Sequence, residues 1–183
     1  MRIESPPWLD LPGFALRQIE RADRQAWYDY LSRPEVHART SWNLRRPEDL
    51  DPLFDAFEST LAGSPCRLAV VDTNHDRLAG TIGFHTLSEV HRNGEIAYDL
   101  APDYWGRGLA TRLCATVTRW SFERLGLIRV QGTVLVGNAP SDRVLLKCGF
   151  QREGLLRSFR LVRGTPGDFT LYARLATDPV PAT

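Results

Sequence analysis

A glycine-containing turn between a strand and a helix constrains the fold of this chain more than any other feature. Gly106 and Gly108 follow the β-rich stretch 95–100, and a helix that ends near Gly126 begins directly after them. The apolar stripe of this helix consists of Leu109, Leu113, Val117 and Trp120. Because the β-rich stretch 128–136 follows, the order predicts a βαβ unit with parallel strands and a right-handed crossover.

The segments on either side of this unit predict antiparallel strands and further helices. Further strands are predicted at 14–19, 67–71, 78–87, 151–162 and 169–176. Helices are predicted at 22–31 and 47–63, and a last helix starts near Asn138. Antiparallel hairpins around one βαβ crossover indicate the α+β class.

Length and composition exclude several classes of protein. The 183 residues suit a single domain, for which we expect a core at about 14–176 and loose ends at 1–12 and 177–183. The net charge of +1 and the dispersed arginines argue against nucleic-acid and membrane partners. No apolar run approaches the roughly 20 residues of a membrane helix, and the first residues lack a signal-peptide core. The three cysteines and four histidines lack metal-ligand spacing, which predicts buried thiols in a reducing cytoplasm and no metal site.

The glycine turn has the composition of a phosphate-binding site. The first N–H groups of a helix have no partner inside the helix, so donors that point one way can bind phosphate oxygens. The glycines alternatively serve only to make the turn. The turn lacks the third glycine of a dinucleotide fingerprint and the Gly-Lys-Ser/Thr of a Walker loop.

The motif at 105–111, Trp-Gly-Arg-Gly-Leu-Ala-Thr, resembles the pyrophosphate loop of the GNAT N-acetyltransferase superfamily. The wider stretch 95–111 is similar to the Rim-type branch, which acetylates the amino termini of ribosomal proteins. The stretches 137–141 and 147–150 resemble the Asn-x-x-Ser helix and the Gly-Phe exit of that branch. The motif order fits from about Phe14 to Leu175. One departure is Trp105, where many members of the superfamily have Gln or Arg.

The resemblance implies the GNAT fold and acetyl transfer from acetyl-CoA to a primary amine. That fold has a mixed, mostly antiparallel sheet of six to seven strands with one parallel pair and helices on both faces. The residues implied in cofactor binding are Leu100, Ala101, Trp105, Gly106, Arg107, Gly108, Leu109, Ala110, Thr111, Asn138, Ser141 and Arg143. Backbone groups near Leu100 and Ala101 would pair with the pantetheine amides. Asn138 would cap the last helix and also reach the pantetheine arm, although capping alone also explains it.

Two residues are candidates for the proton transfers. In this fold family an acidic residue at the strand position of Glu95 often acts as a base through water. Its alternatives are a glutamate that faces solvent or pairs with an arginine. Many relatives carry a tyrosine acid seven positions after the helix-capping Asn, where this chain has Leu145. In the Rim-type branch, a serine at the position of Ser141 is a proposed acid. The alternative for Ser141 is a hydroxyl that contacts the cofactor without donating a proton.

The acceptor site is expected at Trp42, His85 and Asp168, where Trp42 is equally well a core residue and Asp168 equally well pairs with an arginine. Arg160 stands where some peptide amino-terminal acetylases have an acidic residue, which argues against a ribosomal-protein substrate. An α-amino group titrates at about 7.7–8.0 and a lysine-like amine at about 10.4, so a site with one modest base favours the α-amino group.

The alternatives are a catalytically silent acetyl-CoA-binding module and an aminoglycoside or polyamine acetyltransferase. Homodimers are common in the Rim-type branch, whereas no pattern in the sequence predicts one.

Overall fold

Seven strands form one mixed sheet. A computed structural model describes residues 2–59, 61 and 63–180. The strands are β1 Phe14–Gln18, β2 Cys66–Asp72, β3 Arg77–Ser88, β4 Asn93–Leu100, β5 Arg129–Leu135, β6 Gln151–Val162 and β7 Thr165–Leu175. Their order across the sheet is β1-β2-β3-β4-β5-β7-β6, and β4 and β5 form the one parallel pair among the described strands.

Helices cover both faces of the sheet. They are α1 Arg24–Leu31, α2 Pro34–His37, α3 Asp51–Glu58, α4 Leu109–Arg124 and α5 Ala139–Lys147. Side chains of β2 alternate between two cores: Leu68 and Val70 pack in the core that contains α4 and α5, while Ala69 packs in the core that contains α1 and α3. The expected α+β fold, with one parallel pair and helices on both faces, is therefore confirmed.

The βαβ unit has an unusually short parallel contact. Only Asn93–Glu95 of β4 pair with residues 129–131 of β5, although β4 continues to Leu100 and β5 to Leu135. Because the two strands diverge after Glu95, their facing edges are left open between the two helical layers. This gap positions the candidate site.

Two sequence expectations differ from the structure. The helix predicted from Pro47 to Gly63 is a 3-10 turn at 47–50 followed by α3, which ends at Glu58. Pro52 has no N–H to bond the carbonyl four residues earlier, which explains the break. The expected loose end at 1–12 contributes Ile3 and Leu9 to the core, because both are apolar side chains that pack beneath the sheet.

Among the residues that the structure describes, no helix is long and apolar enough to cross a membrane. Within the same part of the chain, no cluster of three or more His, Cys, Asp or Glu side chains could hold a metal ion. The three cysteines are free and buried.

Candidate active site

The turn before α4 offers a continuous run of unpaired main-chain donors. Across the described residues, no protein acceptor is found for the N–H groups of residues 106–111, and the first bonded amide is that of Arg112, to the Gly108 carbonyl at 3.1 Å. This run contains the predicted residues Gly106, Arg107, Gly108, Leu109, Ala110 and Thr111. Donors gathered at a helix N-terminus are suited to binding phosphate oxygens.

Both glycines of the turn are required by the backbone. Gly106 has φ +74° and Gly108 has φ +75°, a left-handed region in which side chains other than glycine are strained. A Cβ atom at either position would meet no protein atom within 4 Å. Their open side therefore faces space that a ligand can enter. The glycines make the turn and also leave it accessible.

A cleft of about 490 Å³ lies against this turn. Its wall includes three basic side chains, Arg39, Arg143 and Lys147. None of the three has a carboxylate partner among the described residues. Arg143 was predicted as a cofactor residue, whereas Arg39 and Lys147 were missed. The side chain of Arg107 does not line the cleft; its Cζ lies 6.0 Å from the centre of the Tyr104 ring.

Two of the backbone groups at Leu100 and Ala101 already have a partner within the protein. The Trp105 indole donates to the Leu100 carbonyl at 2.8 Å, and the Ala101 N–H donates to the Ala79 carbonyl at 2.9 Å. Trp105 therefore anchors the turn to the end of β4, and the Arg39 guanidinium stacks on its ring at 4.7 Å. A carbonyl oxygen can accept a second hydrogen bond and Leu100 lines the cleft, so the pantetheine contacts expected at Leu100 and Ala101 stay a prediction.

Asn138 fixes the start of α5 and joins it to the opposite helical layer. Its side-chain Oδ1 accepts from the Ser141 N–H at 3.4 Å, and its side-chain Nδ2 donates to the Arg39 carbonyl at 2.9 Å. The predicted N-cap is thus confirmed. Asn138 also lines the cleft, so its predicted cofactor contact stays a prediction.

A second cavity of about 370 Å³ adjoins the first and is lined by residues of both β4 and β5. Six residues line both cavities: Arg39, Thr40, Tyr98, Asp99, Asn138 and Ser141. At this junction the Ser141 side chain forms a hydrogen bond with the Tyr98 hydroxyl. The Tyr98 hydroxyl lies 3.4 Å from the Ser141 carbonyl oxygen, and desolvation raises the pKa of Tyr98 well above its usual value. Tyr98 was missed by the sequence reasoning, although alternation with Ile96 and Leu100 places it on the α4 side of β4.

Glu95 is buried in the wall of the second cavity. Its Oε1 accepts from the Thr133 hydroxyl at 2.7 Å and from the Arg160 guanidinium at 2.6 Å. The alternative in which Glu95 pairs with an arginine is therefore the observed arrangement. Its Oε2 has no partner within the described residues, so one oxygen is left for water or a ligand.

The second carboxylate of this cavity, Asp99, is fully engaged. It accepts from the Thr81 hydroxyl at 2.9 Å, from the Trp27 indole at 3.1 Å and from the Tyr30 hydroxyl, and it forms a 3.0 Å ion pair with Arg67. This buried network ties α1 to the sheet. No sequence pattern predicts this network, because its members come from four separate segments, α1, β2, β3 and β4.

Of the three residues predicted to bind the acceptor, two line the second cavity and one does not. Trp42 lines the second cavity and packs edge-on against Trp27 at 5.9 Å. His85 lines the same cavity with a solvent-exposed side chain; partial desolvation by the cavity wall and the positive charges of Arg67 and Arg160 lower its pKa below the usual histidine value.

Asp168 lies outside both cavities, and its carboxylate accepts from the Ser158 N–H at 2.7 Å. Ser158 lies in a bulge of β6, between Leu156 and Arg160, that shifts the register with β7. Asp168 is therefore held by the backbone of this bulge and does not face the cavity, which corrects the expectation.

Comparison with known proteins is decisive for the family. The family sequence model of the acetyltransferase (GNAT) domain matches residues 14–151 of this chain. The chain belongs to the GNAT acetyltransferase family. The chain is 33% identical over 171 residues to the uncharacterized N-acetyltransferase YoaA of Bacillus subtilis (strain 168), which covers 91% of this chain and 96% of that protein.

Two solved structures share the fold. Ribosomal-protein-S5-alanine acetyltransferase from Vibrio fischeri aligns with a TM-score of 0.78 and 23% identity, over 95% of this chain and 98% of that one. Spermidine N-acetyltransferase from Vibrio cholerae, in complex with CoA and spermine, aligns with a TM-score of 0.79 and 22% identity, over 92% and 98%. As a GNAT member, this chain is an acetyl-CoA-dependent N-acetyltransferase that transfers an acetyl group to an amine.

Proposed function

We propose that the acceptor is a primary amine of the α-amino type, at the start of a peptide or in an amino-acid-like molecule, as the Rim-type resemblance suggests. In this proposal the first cavity holds the cofactor and the second holds the acceptor. The observation that carries it is the junction at Tyr98 and Ser141, where both cavities share one wall. Two ligands that enter from opposite faces of the sheet would meet there. Holding two reactants together can supply about 7–11 kcal/mol of the barrier.

The residues of the first cavity fit acetyl-CoA. The unpaired amides at 106–111 suit its diphosphate, and Arg39, Arg143 and Lys147 supply positive charge for its phosphates. Acetyl-CoA supplies an activated thioester for the transfer. The Asn138 cap holds α5 so that Ser141 stays at the junction.

Two groups of the chain would manage the protons. The Ser141 hydroxyl, which lies beside the Tyr98 hydroxyl at the junction, would donate to the departing sulfur. The Tyr98 hydroxyl faces the same junction and keeps its proton because its pKa is raised. Glu95, oriented by Thr133 and Arg160, would take up the proton of the incoming amine through a water at Oε2.

The basicity of the amine supports the α-amino class. At pH 7, about a tenth or more of an α-amino group is neutral, compared with about one part in a thousand or less of a lysine-like amine. A glutamate that already pairs with an arginine is a modest base. We therefore expect an acceptor amine of which a substantial fraction is already unprotonated at pH 7.

The test is acetyl-CoA-dependent release of CoA with a panel of peptides, amino acids, polyamines and aminoglycosides, followed by mass spectrometry of the products. We expect acetylation of α-amino acceptors above the rest. Glu95→Gln should lower turnover most at low pH, where the amine needs a base, and should leave acetyl-CoA affinity unchanged. A pH profile equal to that of the parent would remove Glu95 from this role.

We further propose a cytoplasmic setting, which the three free, buried thiols support. The Rim-type resemblance also allows a homodimer, which sedimentation velocity would detect. Because one chain lines both cavities, the proposed reaction does not depend on a second copy.

A further inference from the structure

Arg160 is held in the second cavity by contacts that leave most of its donors free. Its Cζ lies 4.9 Å from the Phe159 ring centre and 5.4 Å from the Phe169 ring centre. One guanidinium nitrogen binds Glu95, and no other side-chain donor of Arg160 has a partner in the part of the chain that is described. The side chain is 31% exposed. The guanidinium is therefore rigid, accessible and able to bind a further anion.

A bulge in β6 directs Arg160 toward the cavity. Leu156 pairs with Phe169 and Arg160 with Gly167, so the intervening residues 157–159 have no register partner in the β6–β7 pairing. The Asp168 carboxylate holds the bulge through the Ser158 N–H. Bulges are common beside active sites, where they re-aim a side chain. Asp168 thus acts on the cavity indirectly, as a positioning residue for Arg160.

The charges around the cavity favour a negative group on the acceptor. Three arginines, Arg39, Arg67 and Arg160, line it against two carboxylates. Both carboxylates already bind a guanidinium, at 3.0 Å for Asp99 and 2.6 Å for Glu95. A polyamine would therefore bring its second ammonium into a wall with no free carboxylate pair to receive it.

We propose that the acceptor carries a carboxylate close to its amine, and that Arg160 binds this carboxylate while Glu95 Oε2 faces the amine. The adjacent charges of Glu95 and Arg160 complement a zwitterion in which an ammonium and a carboxylate lie side by side. A free α-amino acid has this arrangement, and so does a peptide with an acidic residue near its amino terminus. The inference rests on the proposed function, because it assigns the acceptor of that same site.

The test compares acceptors that differ only by a carboxylate. One pair is alanine and alaninamide, and the other is a peptide with glutamate at its second position and its glutamine twin. We expect kcat/KM to be at least about tenfold higher for the carboxylate in at least one pair, as a charge-assisted hydrogen bond provides. A neighbouring carboxylate also favours the charged amine, so the comparison is biased against this result. The pair that responds identifies the source of the carboxylate.

Variants then locate the preference. Arg160→Met should abolish the preference for the carboxylate-bearing acceptor. Because this variant leaves Glu95 without its arginine partner, Arg160→Met is also combined with Glu95→Gln, and the double variant should lack the preference as well. Glu95→Gln alone should keep the preference at a lower turnover. Arg152→Met is the matched control, because Arg152 lies on the same strand outside the bulge at 157–159 and lines neither cavity. Unchanged acetyl-CoA affinity in calorimetry confirms that each variant is folded.

The possible failures are distinct. Equal kcat/KM within both pairs for the parent protein overturns the carboxylate site and leaves the transferase intact. A preference that survives Arg160→Met also overturns it, because the carboxylate then binds elsewhere. If no amine of any kind is acetylated, the proposed function fails, and this inference fails with it.

Discussion

Gly108→Asp compared with Gly108→Asn tests the phosphate site by charge alone. Asparagine and aspartate have nearly the same shape, and both tolerate a left-handed backbone better than other side chains. A Cβ at Gly108 meets no protein atom within 4 Å, so neither variant creates a clash. Both should therefore lose a similar amount of stability, about 1 kcal/mol, from backbone strain at φ +75°.

The magnitude follows from the position of the new charge. A carboxylate about 5 Å from one phosphate charge, at an effective dielectric constant of about 20, is repelled by about 3 kcal/mol. Solvent in the open cleft reduces this to about 2–3 kcal/mol, which is a factor of about 30 to 150 in Kd. We expect Gly108→Asp to weaken CoA binding by this factor relative to Gly108→Asn.

Isothermal titration calorimetry with CoA measures both variants directly. The difference between them should shrink as salt is raised, because screening weakens the repulsion. A truncated ligand that lacks the diphosphate, such as acetylated pantetheine, should bind the two variants equally. If the two variants bind CoA with the same Kd at low salt, no phosphate lies at this turn and the assignment of residues 106–111 is wrong.

Three further outcomes are expected. Asn138→Ala should lower the melting temperature by about 2–4 °C, because losing an N-cap costs about 1 kcal/mol, whereas Asn138→Asp keeps the cap and most of the stability. The imidazole of His85 should stay neutral in an NMR titration from pH 8 to pH 5, and Arg160→Met should raise the pKa of His85. In the unfolded chain this imidazole binds a proton below about pH 6.5, whereas in the folded chain it does not. His85 therefore makes the folded protein less stable as the pH falls. Ser141→Ala should lower kcat about 10²-fold with little change in KM for acetyl-CoA, and an unaffected kcat that instead falls in Tyr98→Phe would transfer the role of acid to Tyr98.

The parts of the site that the sequence predicted are local in the chain. The glycine turn, the start of α4 and the Asn138 cap each involve residues within a few positions of one another, so composition and spacing suffice. Their order along the chain also predicted the parallel pair. The length of that pair was not predictable, because it depends on where the two strands diverge.

The contacts that define the second cavity lie far apart in sequence. Glu95 binds Arg160 across 65 positions, and Asp99 binds Tyr30 across 69. Such contacts require the strand order and the β6 bulge, neither of which has a pattern in the sequence. Asp168 shows the consequence: its carboxylate binds the backbone of a bulge that alternation alone does not predict.

The position of Leu145 links the shape of the gap to the chemistry at the junction. Leu145 is 1% exposed, and a Cβ added to Gly132 would lie 3.2 Å from its Cδ1 and 3.5 Å from Cγ2 of Ile96. Pairing of β4 with β5 ends at Glu95 and Gln131, directly before Ile96 and Gly132. Leu145 therefore fills the point at which the strands separate. The tyrosine that the family resemblance leads us to expect at this helix position is absent, yet a tyrosine hydroxyl faces the junction from Tyr98 on β4. Because Tyr98 and Ser141 approach the same point from opposite sides of the gap, replacing the helix tyrosine with a packing residue leaves the junction with two hydroxyl donors.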